Sequence, residues 1–152
     1  MPGRYAATGA NVLAASPGKT ALNVFQTSNT RRGRFYDIMF GSSGTPADAA
    51  VRWQARRSTA VGTEGAGVVP TALDSGDPAA LFDGAEGHTV EPTYTAGSEF
   101  IDLALNQRAS WRWVAAPGGE IVTPATAANG IGVSAFHASS TVATEATMHW
   151  EE

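Results

Sequence analysis

The chain has 152 residues, 43% of them hydrophobic, with Gly 17, Pro 8 and a formal net charge of −4. At 15.7 kDa this is the size of one domain, with a folded surface near ~7,300 Å² and roughly two-thirds of the unfolded chain's surface buried. The absence of cysteine excludes disulfides, thiolate metal sites and cysteine nucleophiles; with no signal-peptide hydrophobic region and no run approaching the ~20 apolar residues of a membrane span, a soluble product made in a cytoplasm is expected.

In chain order, residues 1–19 are small and polar, with Gly3, Gly9, Ser16, Pro17 and Gly18 leaving little to pack. They read as an extended N-terminal arm, disordered or ordered by a partner, with the domain proper over 20–152. ALNVFQT (21–27) is the first expected strand. RFYDIMFG (34–41) is the second, with Tyr36, Ile38 and Phe40 sharing one face. The loop 42–50 carries Pro46, which suits a single helical turn. From Val51 to Ala60, Val51, Trp53 and Ala55 alternate with Arg52, Gln54 and Arg56, an amphipathic strand with a basic outer face. Residues 61–87 look least strand-like. There Asp77 and Pro78 resemble a helix start and Gly84 a stop, so a short helix is expected over Pro78–Asp83.

Residues 91–120 carry the strongest signal. Ile101, Leu103 and Leu105 alternate with Asp102 and Ala104, and Trp111 and Trp113 alternate with Ser110, Arg112 and Val114. The turn Asn106-Gln107-Arg108 between them reads as a hairpin connection, which would make this pair the centre of the fold. Short strands over 120–123, 131–138 and 141–151 follow. In the last, Val142, Met148 and Trp150 share one parity and Glu145, Thr147 and His149 the other. Seven or eight strands with no long amphipathic helix give an all-β chain, a single β-sandwich or jelly-roll-like domain with at most one or two short helical turns.

The charge is unevenly distributed. Residues 1–60 carry about +6 and residues 61–152 about −10. Either the two halves interleave and neutralise each other, or a polar molecule docks its basic side on acidic neighbours. The first reading is the simpler.

Motifs of chemistry are weak. Gly18-Lys19-Thr20 ends like a phosphate-binding loop, but Leu13 stands where that loop needs glycine, so a turn is expected. GTEGAG (62–67) does not fit GxGxxG and reads as a flexible loop. FGSSG (40–44) is one residue short of a nucleophile elbow and reads as a strand end and turn. His88, His137 and His149 are scattered, without zinc-site spacing. Asp74, Asp77, Asp83 and Glu86 lack the pattern of a calcium loop and read as a solvated acidic surface. No catalytic, cofactor-binding or metal-ligating residue is singled out. The acidic pI of about 5.3 and single lysine weigh against nucleic acid as the partner of the arginines.

The opening MPGRYAATGAN, the segment GSSGTPADAAVRWQARRSTAVGT, the run EPTYTAGSEFIDLALNQRASWRWVAAPGGEIVTPATAANGIGV and the ending TMHWEE together resemble small virion proteins of tailed bacteriophages and their prophages, similar to capsid decoration (cement) proteins. The resemblance covers nearly the whole chain and fixes no functional residue. It implies a structural, non-enzymatic protein without cofactor, nucleic acid or membrane. Such a protein is often trimeric and sits on the outer capsid surface, with the major capsid protein as its partner. On that reading Arg4, Arg31, Arg32, Arg34, Arg52, Arg56 and Arg57 are the expected interface residues. A tail or head–tail connector protein, or a carbohydrate-binding β-sandwich module using its tryptophans, are the alternatives, with a jelly-roll enzyme well behind.

Overall fold

A computed structural model describes residues 2–13, 18–139 and 141–152. Among these there is no helix, and so none long and apolar enough to cross a membrane. The strands are β1 (Arg4–Leu13), β2 (Lys19–Gln26), β3 (Arg34–Ser43), β4 (Ala50–Ala60), β5 (Ala66–Val68), β6 (Thr71–Ala72), β7 (Phe82–Glu86), β8 (Thr93–Asn106), β9 (Ser110–Val114), β10 (Ile121–Val122), β11 (Gly130–Phe136) and β12 (Val142–Glu151). They form two antiparallel six-stranded sheets. One runs β10-β3-β12-β1-β6, with β9 beside β10 on the same edge of β3; the other runs β5-β7-β2-β11-β4-β8. The chain is a β-sandwich, and its surface of 7147 Å² is close to the ~7,300 Å² that size scaling gives.

Alternation puts one face of each strand between the sheets. Val51, Trp53 and Ala55 of β4 are buried there, as are Val142, Ala146, Met148 and Trp150 of β12. Aromatic stacks join the layers. Phe40 of β3 stacks on Trp53 of β4 at 4.7 Å between centroids. Trp150 packs on Phe35 at 5.8 Å and on Tyr5 and Phe82 at 6.0 Å. Truncating either buried tryptophan to alanine removes contacts with both sheets, a loss of about 3–5 kcal/mol.

Four expectations are corrected. The first is the arm: residues 4–13 are strand β1, paired over ten residues with β12, with Tyr5 and Leu13 in the core. Gly9 is small because β2 crosses close by. A Cβ at Gly9 would lie 2.8 Å from the Ala21 carbonyl oxygen and 2.9 Å from a Leu22 methyl carbon. Gly18 to Thr20 is not a turn either, since β2 begins at Lys19; residues 14–17 of the expected arm lie outside the described residues.

The second is the central hairpin. β8 pairs with β4 in one sheet and β9 with β3 in the other, so Asn106–Arg108 is a corner between layers. Buried Gln107 anchors it: its N–H donates to the Ala49 carbonyl (2.9 Å) and its side-chain oxygen accepts from Ala47 N (2.8 Å).

The third concerns residues 61–87, which contain β5, β6 and β7 and no helix. The Asp77 carboxylate caps no helix but accepts from Arg4 N at 3.1 Å, and Phe82 is wholly buried. The loop 44–49 likewise has no helical turn. The fourth is one residue of register. Tyr36 has no partner on β12, where Asp37 faces His149 and Phe35 faces Trp150. This bulge places Phe35, Ile38 and Phe40 inside and turns Tyr36 outward.

Candidate functional site

The seven arginines divide into two groups. Arg4 and Arg34 flank Glu151 across the row β1-β12-β3, because both are its register partners. Arg31 Nη1 donates to the Glu152 carbonyl (3.3 Å) and Arg32 Nε to the Thr123 carbonyl (3.3 Å), beside β10 and the end of β12. Arg57 reaches the same end from the other sheet, donating to the Val122 carbonyl at 2.8 Å, with its guanidinium 4.9 Å from the Phe100 ring centre. Arg4, Arg31, Arg32 and Arg34 are exposed. Of these four, Arg34 is ion-paired with Glu151 at 3.3 Å. The geometry is an arginine-rich end of the sandwich, where the side chains of Arg31, Arg32 and Arg34 are each anchored by a hydrogen bond and the acids Asp77, Glu151 and Glu152 lie among them.

Arg52 and Arg56 stand apart, on the outer face of the second sheet. Arg52 holds Asp102 through two hydrogen bonds of 2.7 and 2.5 Å, and Gln54 adds a third at 3.0 Å. Hydrogen bonds from Arg52 and then Gln54 lower the Asp102 carboxyl from 3.8 to about 2. Arg56 lies 4.0 Å above the Tyr94 ring and 5.3 Å from that of Phe136. Tyr94 itself covers Gly132, where a Cβ would collide with the tyrosine hydroxyl, and that hydroxyl meets Thr20 Oγ1 at 2.7 Å and Ser134 Oγ at 3.2 Å. This polar cluster is closed over by its own side chains.

Among the described residues, each of the four Lys/Arg pairs joins residues 1–60 to residues 61–152: Lys19–Glu91 (3.2 Å), Arg34–Glu151, Arg52–Asp102 (2.5 Å) and Arg112–Asp37 (2.5 Å). The two oppositely charged halves interleave, as the simpler reading of the charge pattern expects. Asp37 is the buried member of its pair and also faces His149 Nδ1 at 3.7 Å.

The other candidates resolve into structure. Asp74 accepts from Gly76 N (2.9 Å) and Glu86 from Ala10 N (2.6 Å), so with Asp77 the acidic loop fastens itself and β1 by backbone amides. Among the described residues no group of three or more His, Cys, Asp or Glu is placed to hold a metal ion. His88 is buried after β7, where burial pushes its pKa down, and His137 Nδ1 accepts from Ser139 N at 3.1 Å. GTEGAG is drawn into the sheet by the Thr63–Val90 bridge and β5. FGSSG is the end of β3 and a bend at Gly44.

A groove of about 460 Å³ that sequence reading missed crosses β12, β3 and β9, lined by Met39, Ser42, Ser110, Trp111, Arg112 and Glu145 among others. Gly41 in its lining lets β9 approach, since a Cβ there would lie 3.2 Å from Ser110 Cβ. No local motif marks it, because its walls come from three strands far apart in the chain. Comparison with protein-family models, with curated proteins and with solved structures finds no match.

Proposed function

We propose that this chain is a structural virion protein, a capsid decoration protein that sits on the outside of a tailed-phage head and ties coat subunits together. The proposal starts from the resemblance of the sequence to small phage virion proteins. The observation that carries it further is the arginine-rich end formed by Arg4, Arg31, Arg32 and Arg34, which unites four of the seven expected interface residues. A cement protein acts by burying complementary surface across several subunits, which stabilises them by mass action and requires no pocket. Exposed guanidinium groups suit acidic coat carboxylates.

A jelly-roll body fits the strand order. Leaving aside β5, β6, β7 and β10, the layers are β1-β12-β3-β9 and β2-β11-β4-β8. The chain changes layer at every step of this path except β4 to β8. Arg52 and Arg56 are engaged within the chain, so their part at an interface is secondary to that of the arginine-rich end.

The test is particle occupancy. Purified phage heads are loaded with the wild-type chain and with an Arg31→Glu/Arg32→Glu variant across a salt series, and decorated heads are imaged by cryo-electron microscopy. We expect density on the outer shell, occupancy that falls with salt, and a variant that binds at least about tenfold more weakly. Density in the tail or neck would move the chain to the connector class, and equal occupancy of the variant at all salts would remove the arginine-rich end from the interface. The groove supports one other reading, a carbohydrate-binding module, since Trp111, Glu145, Arg112 and two serines line it. Glycan binding lost in Glu145→Ala would favour it.

A further inference from the structure

The long open edge of the sandwich is β8, fourteen residues at the end of its sheet with no strand on its outer side among the described residues. The opposite end of that sheet closes with β5, three residues long. Long unpaired edges template further pairing, and folds blunt them with bulges, proline or charge. The first half of β8 is blunted in this way: its register with β4 breaks between Ala55 and Ala60, and Gly97 turns there with φ 68°. The second half is not. Ile101–Asn106 runs in regular register with Ala50–Ala55, carries no proline or lysine, and its one charge, Asp102, is held sideways by Arg52 and Gln54 of β4.

The side chains along this edge match its open backbone. The corner after β8 leads directly to β9, the edge of the facing sheet, so the inward residues of both strands border the same side of the sandwich. Leu103, Leu105, Trp111 and Trp113 pack on the core there yet remain only half-buried, and Phe100 and Val114 are exposed.

We propose that this side is a self-association surface, on which β8 pairs antiparallel with β8 of a second copy about a two-fold axis. Charge selects the occupant. The guanidinium–carboxylate pairs flanking the seam, Arg52–Asp102 and Arg112–Asp37, are closed within the chain. Outside these pairs, Glu99 lies at one end of the straight segment, in register with Arg56 of β4, and Arg108 lies just past the other, beside Asn106, whose side chain also holds Asp48 at 2.5 Å; Glu99, Arg108 and Asp48 are all exposed. Antiparallel pairing centred near Leu103 brings Glu99 of each copy beside Arg108 of the other, so the surface is complementary to itself. A two-fold pair, and not the trimer that the phage resemblance implies, is the unit this edge builds. The pairing stands whether or not the chain binds a capsid.

The experiment is sedimentation equilibrium of the full chain, with thermal melts of each variant to show that the fold is retained. We expect a species of twice the 15.7 kDa chain mass. Glu99→Arg and Arg108→Glu should each weaken self-association by about tenfold, two symmetry-related contacts being changed at once. The double variant should regain wild-type affinity. A monomer throughout, a trimer, or a dimer indifferent to either reversal would overturn the proposal.

Discussion

Asp102 is a carboxylate whose pKa is lowered from 3.8 to about 2, chiefly by the Arg52 guanidinium that grips it. A depressed acid adds stability above its unfolded pKa and loses that contribution as pH falls through the folded one. The window here runs from 3.8 down to about 2. Asp102→Asn should therefore lose less thermal stability than the wild type across that interval, measured as melting temperature against pH. Parallel curves would show that the pair is not formed in solution. Glu152 works in the other direction: burial raises its carboxyl, so its contribution is full at acidic pH and is lost as pH rises through the raised value. The charges themselves were legible in the sequence, and so was their imbalance between halves. Which arginine meets which acid was not, because Arg52 and Asp102 become neighbours only when β4 and β8 align.

Strand β1 carries the clearest difference between reading and structure at the level of elements. RYAATGANVL has the composition of an arm, yet it hydrogen-bonds to β12 along its length and sets Tyr5 against Trp150. Deleting residues 1–13 would expose the β12 edge and strip Tyr5 and Leu13 from the core. We expect the truncated chain to lose its cooperative melt, followed by far-ultraviolet circular dichroism; an arm could be removed with the melt unchanged. β8 and β9 make the complementary point. Their alternation announced two strands correctly, but a polar three-residue turn serves a hairpin and an inter-sheet corner equally well. The buried amide of Gln107 decides for the corner.

At the scale of the whole molecule, the chain switches sheets so often that no segment holds a core of its own. β1 and β12, from opposite ends of the sequence, lie side by side, and among the described residues every Lys/Arg ion pair with Asp or Glu crosses between the first 60 residues and the rest. Unfolding should therefore be a single event. Tryptophan fluorescence and far-ultraviolet circular dichroism are expected to give superimposable urea transitions. Two separated transitions would mean that part of the sandwich folds independently.

The sequence by itself determined the class of this protein and most of its strands. Period-two alternation in 51–60 and 142–151 is a local property, dictated by which residues must avoid water, and it can be read without knowing the neighbours. The tertiary structure decided the pairing, the corner at Asn106–Arg108, the entry of β1 into a sheet, and the gathering of Arg4, Arg31, Arg32 and Arg34 at one end. Those depend on contacts between residues far apart in the chain. A glycine that leaves room for a crossing strand and a glycine in a loose arm are the same letter until the second strand is in place.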